Sequence, residues 1–373
     1  MVIGYAESKD GITWTRPNLG LFEFDGSKDN NIVLDSVFGG FRPHDFSPFV
    51  DTNPKATPDA KYKAVGRDYR GHTVWGFKSP DAIHWTPVKD GPVYTRGVFD
   101  TQNISFWSEE EGRYVLYYRV IPSGIRHIAR AFSDDFVNWE EDGLLDFGDA
   151  GPTKEEQFYT NQIKPYYRAP HILIGFPARY VDRGMTASTY ELPEPELRKE
   201  RIQRSLRFGT ATTDSLLITS RDGKHFRRSD EAFLRPGLRT KNNWSYGDNY
   251  LACHVVETPS TEDDCPRELS LYATESYFTG DSSILRRYTL RIDGFVSAHA
   301  KHETGDVLTK PFTFDGRQLS LNFATSAAGR VKVELQDKKG KPIPGFTLDD
   351  ADMVYGDSLD RVVSWKGDTT CHH

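Results

Sequence analysis

The chain has 373 residues, 37 % hydrophobic and 13 % aromatic, enough for one large domain and a smaller one. Its 47 basic against 54 acidic residues give a formal charge of −7, and no arginine-rich run is interleaved with aromatics, which argues against a general nucleic-acid binder. No window approaches the roughly 18 to 20 apolar residues of a membrane span, and MVIGYAESKDGITW has neither the basic start nor the apolar centre of a secretory signal. Cys253, Cys265 and Cys371 form no CxxC pair; idle thiols are expected, with a Cys253–Cys265 disulfide as the alternative. No cofactor and no metal site is expected, and the terminal His372-His373 reads as a tail.

Along the chain, one seven-residue phrase occurs four times. It is SKDGITW at Ser8 to Trp14, SPDAIHW at Ser79 to Trp85, SDDFVNW at Ser133 to Trp139 and SRDGKHF at Ser220 to Phe226. Each copy follows a β-rich run (VIGYAE, TVWGFK, HIARAF, SLLITS), and the frame is Ser-x-Asp-x-x-x-aromatic. Serine and aspartate side chains bond nearby backbone N–H groups, so each phrase reads as the tight turn between two outer strands of a small sheet. Asp10, Asp81, Asp135 and Asp222 are therefore assigned to structure, because a reaction does not need one group in every repeat.

Between the copies lie paired strand signals. HDFSPFVDTNP leads into YKAVGRD, and FDTQNISFWSEEEGRYVLYYR folds about a Glu-Glu-Gly turn. FYTNQIKPYYRAPHILIGFPARY follows, and NWSYGDNYLACHVVETP then leads to RELSLYATESYF and LRRYTLRIDGF. The expectation is an all-β fold, a β-propeller over residues 1–294 with a partial first blade. Five blades are favoured over four. Residues 181–206 hold the clearest helical stretch, ELRKERIQRSL, and read as an insertion on the fourth blade. After Asp293 the short strands and DG, AG and KG turns predict a small β-sandwich over 295–373.

The four phrases, the unit length and the appended sandwich resemble the five-bladed propeller glycoside hydrolases, families 32 and 43 in particular. The turn phrase also resembles that of the related mannoside phosphorylases. A sialidase Asp-box has one more residue between serine and tryptophan, which makes that likeness weaker. The resemblance implies a glycosidase that cuts an oligo- or polysaccharide with paired carboxylates, from a secreted or periplasmic parent. Two departures stand out. The family takes one catalytic carboxylate from an inner strand of the first blade, whereas this chain opens in an outer strand at VIGYAE. Family 32 carries Arg-Asp-Pro in the second blade, where this chain has Arg42-Pro43-His44-Asp45. The alternatives are a glycoside phosphorylase using Arg119, Arg168 or Arg179, and a glycan-binding propeller without catalysis.

Glycoside hydrolysis needs one carboxylic acid to protonate the leaving oxygen and one carboxylate to attack or to activate water. Innermost propeller strands converge on a channel, so acids at their starts are the candidates. Asp45, Asp100 and Glu156 (or its neighbour Glu155) are the expected catalytic groups, and Asp45 matches the position where the family places an acidity-tuning aspartate. His44, Gln102, Asn103, Arg119, His171, Arg179, Trp244 and Asp248 are the expected substrate-binding residues. Trp75 and Trp107 are candidates for stacking on a sugar, with core packing the stronger reading. No P-loop, GxGxxG, HExxH or GxSxG motif occurs, which removes nucleotide-dependent, zincin and α/β-hydrolase chemistry. The only partner expected is a carbohydrate substrate, with no nucleic acid and no membrane.

Overall fold

The computed structural model describes residues 1–36, 40–241, 243–277 and 283–371; His372 and His373 lie outside the described residues. The chain forms two units, one of Met1–Thr261 with Ser270–Thr289, the other of Glu262–Leu269 with Leu290–His373.

The larger unit is built from small antiparallel sheets, in the mostly β class that the repeat predicts. The N-terminal part contributes two short pairs, Ile3–Gly4 with Ile32–Leu34 and Glu7–Ser8 with Trp14–Thr15. Two four-stranded sheets follow in simple chain order, Pro43–Val50 to Thr86–Pro87 and Ile104–Ser108 to Glu140–Leu144. A third joins Lys164–Tyr166, Ala169–Gly175, Ile218–Ser220 and Arg227–Arg228. Val256–Thr258, Glu268–Glu275 and Ile284–Arg291 make a three-stranded sheet. One sheet was not legible in the repeat, formed by Gln157–Phe158, Ala178–Asp182 and Ala211–Ser215.

The strands that open the four-stranded sheets are neighbours: Ile104–Ser108 touches both Pro43–Val50 and Lys164–Tyr166. Together with Ala252 and Cys253 they enclose a cavity of about 240 Å³ lined by Phe46, Ser47, Gln102, Ser105 and Lys164. The N-terminal hairpin meets the last sheet, where Tyr272 Oη donates to the Gly11 carbonyl at 2.6 Å and the Tyr272 ring stands edge-on to Trp14 at 5.7 Å.

The core explains why Arg113–Val120 reads RYVLYYRV with no polar face: this strand is buried on both sides, from Tyr114 to Arg119. Its three tyrosines keep their hydroxyls satisfied in the interior, as burial requires. Tyr114 donates to Asp51, Tyr117 to the Gly223 carbonyl, and Tyr118 pairs with Tyr94, each at 2.8 Å.

All four repeated phrases form the same turn. In each, one carboxylate oxygen accepts two backbone N–H groups and the serine hydroxyl: Ile12, Thr13 and Ser8 on Asp10; Ile83, His84 and Ser79 on Asp81. Val137, Asn138 and Ser133 do this on Asp135, and Lys224, His225 and Ser220 on Asp222. The residue after the aspartate takes a left-handed φ every time, 77° at Gly11, 65° at Ala82, 66° at Phe136 and 72° at Gly223. The indoles of Trp85 and Trp139 then donate back to the carbonyls of Ala82 and Phe136.

The 181–206 segment holds short Ala187–Tyr190 and longer Pro195–Arg204, with proline at the helix start. The longer helix is tied down from within, as buried Arg198 donates to the carbonyls of Pro193, Gly209 and Trp244. No helix among the described residues is long and apolar enough to cross a membrane.

In the smaller unit, the described residues form one two-stranded sheet, Ser320–Ala324 with Asp357–Val362, and four isolated bridges. Trp365, Val363, Val354, Ala351 and Cys371 make its core, with Leu321, Phe323 and Phe346 packed against them. The three cysteines are unpaired thiols, so the Cys253–Cys265 disulfide does not form.

Candidate active site

The densest gathering of chemistry lies where the strands Pro43–Val50 and Tyr62–Asp68 meet the FDTQN segment. His44 sits directly across the ladder from Arg67, but the register then slips between His44 and Ser47. At that bulge Asp45 adopts φ 48°, a left-handed conformation that an aspartate tolerates better than most residues. The slip lets neighbouring residues share a site that strict alternation would separate. His44 Nδ1 and Asp45 Oδ2 lie 2.5 Å apart, and this bond to the carboxylate raises the imidazole's pKa.

Asp100 arrives from the next sheet. Its loop is braced internally: Asn103 donates to the Phe99 and Thr101 carbonyls, and Thr101 Oγ1 donates to the Tyr159 carbonyl at 2.8 Å. Arg67, 3 % exposed, donates to Asp100 Oδ1 at 2.7 Å, contacts His72 Nδ1 at 3.1 Å and lies over the Tyr69 ring. That leaves Asp100 half exposed, and among the described residues no protein donor meets its second oxygen. Ligand atoms of His44, Asp45 and Asp100 all fall within 4.8 Å of one another. One nitrogen and two carboxylate oxygens at that spacing suit a divalent cation as well as a proton. The Arg67 charge beside Asp100 opposes a further cation.

A floor of tyrosines adjoins the acids. Tyr159 bonds Tyr246 through their hydroxyls at 2.5 Å, stacks on Tyr250, and shares a cluster with Tyr180 and Tyr277. The Tyr277 hydroxyl is pushed up in pKa by burial first, then by Tyr159, Asp45 and Asp100, which puts it in the field of both acids. Asp248, 2 % exposed, accepts from the Tyr277 and Ser245 backbone N–H groups, and burial lifts its pKa to about 6.

Several expected residues serve elsewhere. Glu156 accepts from both Arg228 and Arg179. Burial works against its charge, but the two guanidinium groups hold its pKa below the usual carboxylate range. A proton donor needs the opposite shift. Glu155 is exposed. Arg179 spends its fork on Asp214, at 2.9 and 2.6 Å. Asn103 is fully buried in its own loop, and His171 is exposed on Ala169–Gly175, a strand paired on both sides. Trp244 donates to the Gly237 carbonyl, while Trp75 and Trp107 pack on Phe41 and Tyr114. Gln102 lines the cavity and meets Gln162. Arg119 stays close to the site, over the Tyr159 ring at 4.8 Å. Sequence reasoning missed Arg67 and the tyrosines. The arginine lies in YKAVGRD, a strand buried on both faces from Lys63 to Arg67, and no alternation in it marks the side chain as inward.

No protein-family model and no curated protein matches the chain. Among solved structures it is similar to an N-acetylgalactosamine deacetylase from F. plautii in complex with blood group B trisaccharide, at 12 % identity and TM-score 0.47 over 72 % of this chain and 70 % of that one. It is similar to a thermostable family-43 glycoside hydrolase at 13 % identity and TM-score 0.48, covering 80 % of this chain and 88 % of the other. A likeness to an endo-arabinase from Bacteroides thetaiotaomicron has 12 % identity and TM-score 0.38, over 82 % and 94 % of the two chains. The roles assigned to Asp45 and Asp100 rest on this chain's own geometry.

Proposed function

We propose that the chain is a glycoside hydrolase in which Asp100 and the His44–Asp45 pair do the chemistry. The observation that carries this reading is the approach of two carboxylates from different sheets to within 4.8 Å, one beside a guanidinium and one beside an imidazole. The partners divide the labour. Arg67 holds Asp100 Oδ1, which orients the other oxygen for attack on an anomeric carbon. His44, its pKa raised by Asp45, carries the proton that the leaving oxygen needs. In the second half of the reaction the neutral imidazole takes a proton from water as it attacks the glycosyl–Asp100 ester. Glu156 is left out of the mechanism because its arginines hold it ionised.

Of the arginines a phosphorylase would use, Arg179 is consumed by carboxylates and Arg168 is exposed, which leaves Arg119, over the Tyr159 ring, as the one that keeps this second reading open. The test is a panel of oligosaccharides and aryl glycosides, scored for released reducing sugar with and without phosphate. On a substrate that is turned over, Asp45→Asn and Asp100→Asn should each lower the rate about 100- to 10,000-fold. Wild-type rates in both variants would remove these residues from the mechanism.

A further inference from the structure

Among the described residues, no carboxylate pairs with three arginines on the tyrosine floor. Arg119 lies over Tyr159 at 4.8 Å, Arg126 over Tyr159 at 5.2 Å and Tyr180 at 4.6 Å, and Arg207 over Tyr246 at 5.1 Å. The rings connect them, since Tyr159 and Tyr246 share a hydrogen bond. Arg119 is only 4 % exposed; its Nε donates to the Val98 carbonyl while its Nη1 has no hydrogen-bond partner. Arg126 donates to the neutral Gln157 side chain, and Arg207 to the Tyr246 hydroxyl. Four other arginines of this unit, Arg67, Arg130, Arg179 and Arg228, each close on a carboxylate, and buried Arg198 spends its donors on backbone carbonyls.

Burying a guanidinium without a counter-charge is costly, and cation–π contacts recover only part of that cost, about 0.5 to 2 kcal/mol each. Arg119 is buried in this way and Arg126 and Arg207 are half-buried, and three such charges on one aromatic surface are better explained by an anion that arrives from outside. Guanidinium forks match the planar geometry of a carboxylate. The floor joins the acids through Thr101, which follows Asp100 and donates to the Tyr159 carbonyl.

We propose that Arg119, Arg126 and Arg207 bind the carboxylate of a uronic acid residue in the glycan, beside the Asp45–Asp100 site. The proposal rests on the reading of the chain as a glycan-cleaving enzyme, and binding is measured apart from cleavage so that each can fail alone. Calorimetry on the full chain would compare glucuronate- and galacturonate-containing oligosaccharides with their neutral counterparts, with inorganic phosphate and with sulfate. The expected result is binding of a uronate-containing ligand at least tenfold tighter than its neutral counterpart, weakening as salt rises. Arg126→Gln and Arg207→Gln should each reduce uronate affinity tenfold or more and leave neutral sugar unchanged. Arg126→Lys, which keeps the charge and loses the fork, should fall between, and serves if the glutamine variants fold poorly. Equal affinity for neutral sugar, unchanged uronate binding in the variants, or phosphate or sulfate binding without uronate binding would each overturn the proposal. Uronate binding without cleavage of any glycan would uphold it and count against the hydrolase reading. Cleavage of neutral glycans with no preference for uronate would do the reverse.

Discussion

The repeated turns and the gathered acids use the same residue to opposite ends. Asp10, Asp81, Asp135 and Asp222 each spend an oxygen on two backbone N–H groups and a serine hydroxyl. Exposed Asp10 is held well below the usual carboxylate range by those bonds. In Asp135 partial burial works the other way, yet the bonds still bring its pKa down to about 2. Such a group holds a turn and is a poor proton carrier at neutral pH. Asp45 and Asp100 meet no such nest, and their partners are an imidazole and a guanidinium. Backbone satisfaction marks an aspartate as structural, and reliance on a few side chains from other strands leaves it available for chemistry.

That contrast can be broken in graded ways. The largest effect expected is on turnover: Asp100→Asn should lower it about a thousandfold, while Glu156→Gln, between its two arginines, should stay within a few-fold of wild type. Steady-state rates on one substrate decide it, and an equal collapse in both would return Glu156 to the mechanism.

Asp248 comes next. The unfolded chain releases its proton near pH 3.9 and the folded chain near 6, so the folded state binds more protons between those values. Its contribution to stability therefore falls as pH rises from about 4 to 7, by roughly 3 kcal/mol. Urea unfolding across that range should show a decline in wild type that flattens in Asp248→Asn; parallel curves would rule the shift out.

A smaller loss, about 1 kcal/mol, is expected for Asp135→Ala, which frees two backbone N–H groups of one turn. Turnover should not change, and a drop in rate there would blur the division between the two kinds of aspartate. The smallest effect has the opposite sign. Ala82 occupies the left-handed position that glycine takes in the first and last copies, so Ala82→Gly should raise stability by up to about 1 kcal/mol in thermal or urea unfolding.

Much of this was readable in the chain itself. The Ser-x-Asp phrase carries its own hydrogen-bonding logic, so four turns and the small sheets around them follow from local spacing. Asp45 and Asp100 stand out in the sequence because acids at the starts of inner strands have few structural uses. Glu156 misled because its arginines come from strands 23 and 72 residues further on, beyond what spacing reveals. The bulge at His44–Asp45 was hidden for a related reason: a register slip is set by pairing with Tyr62–Asp68, and no residue type announces it. The tyrosine floor was visible only as composition, since Tyr159, Tyr180, Tyr246 and Tyr277 come from separate segments.

The bond from Tyr272 to Gly11 bridges 261 positions of chain. On a ribosome adding roughly 5 to 20 residues per second, the first hairpin waits tens of seconds for its partner to be made. Throughout that interval Trp14 and a raw strand edge have nothing to lean on. The Glu7–Ser8 and Trp14–Thr15 hairpin thus completes its packing only late in synthesis.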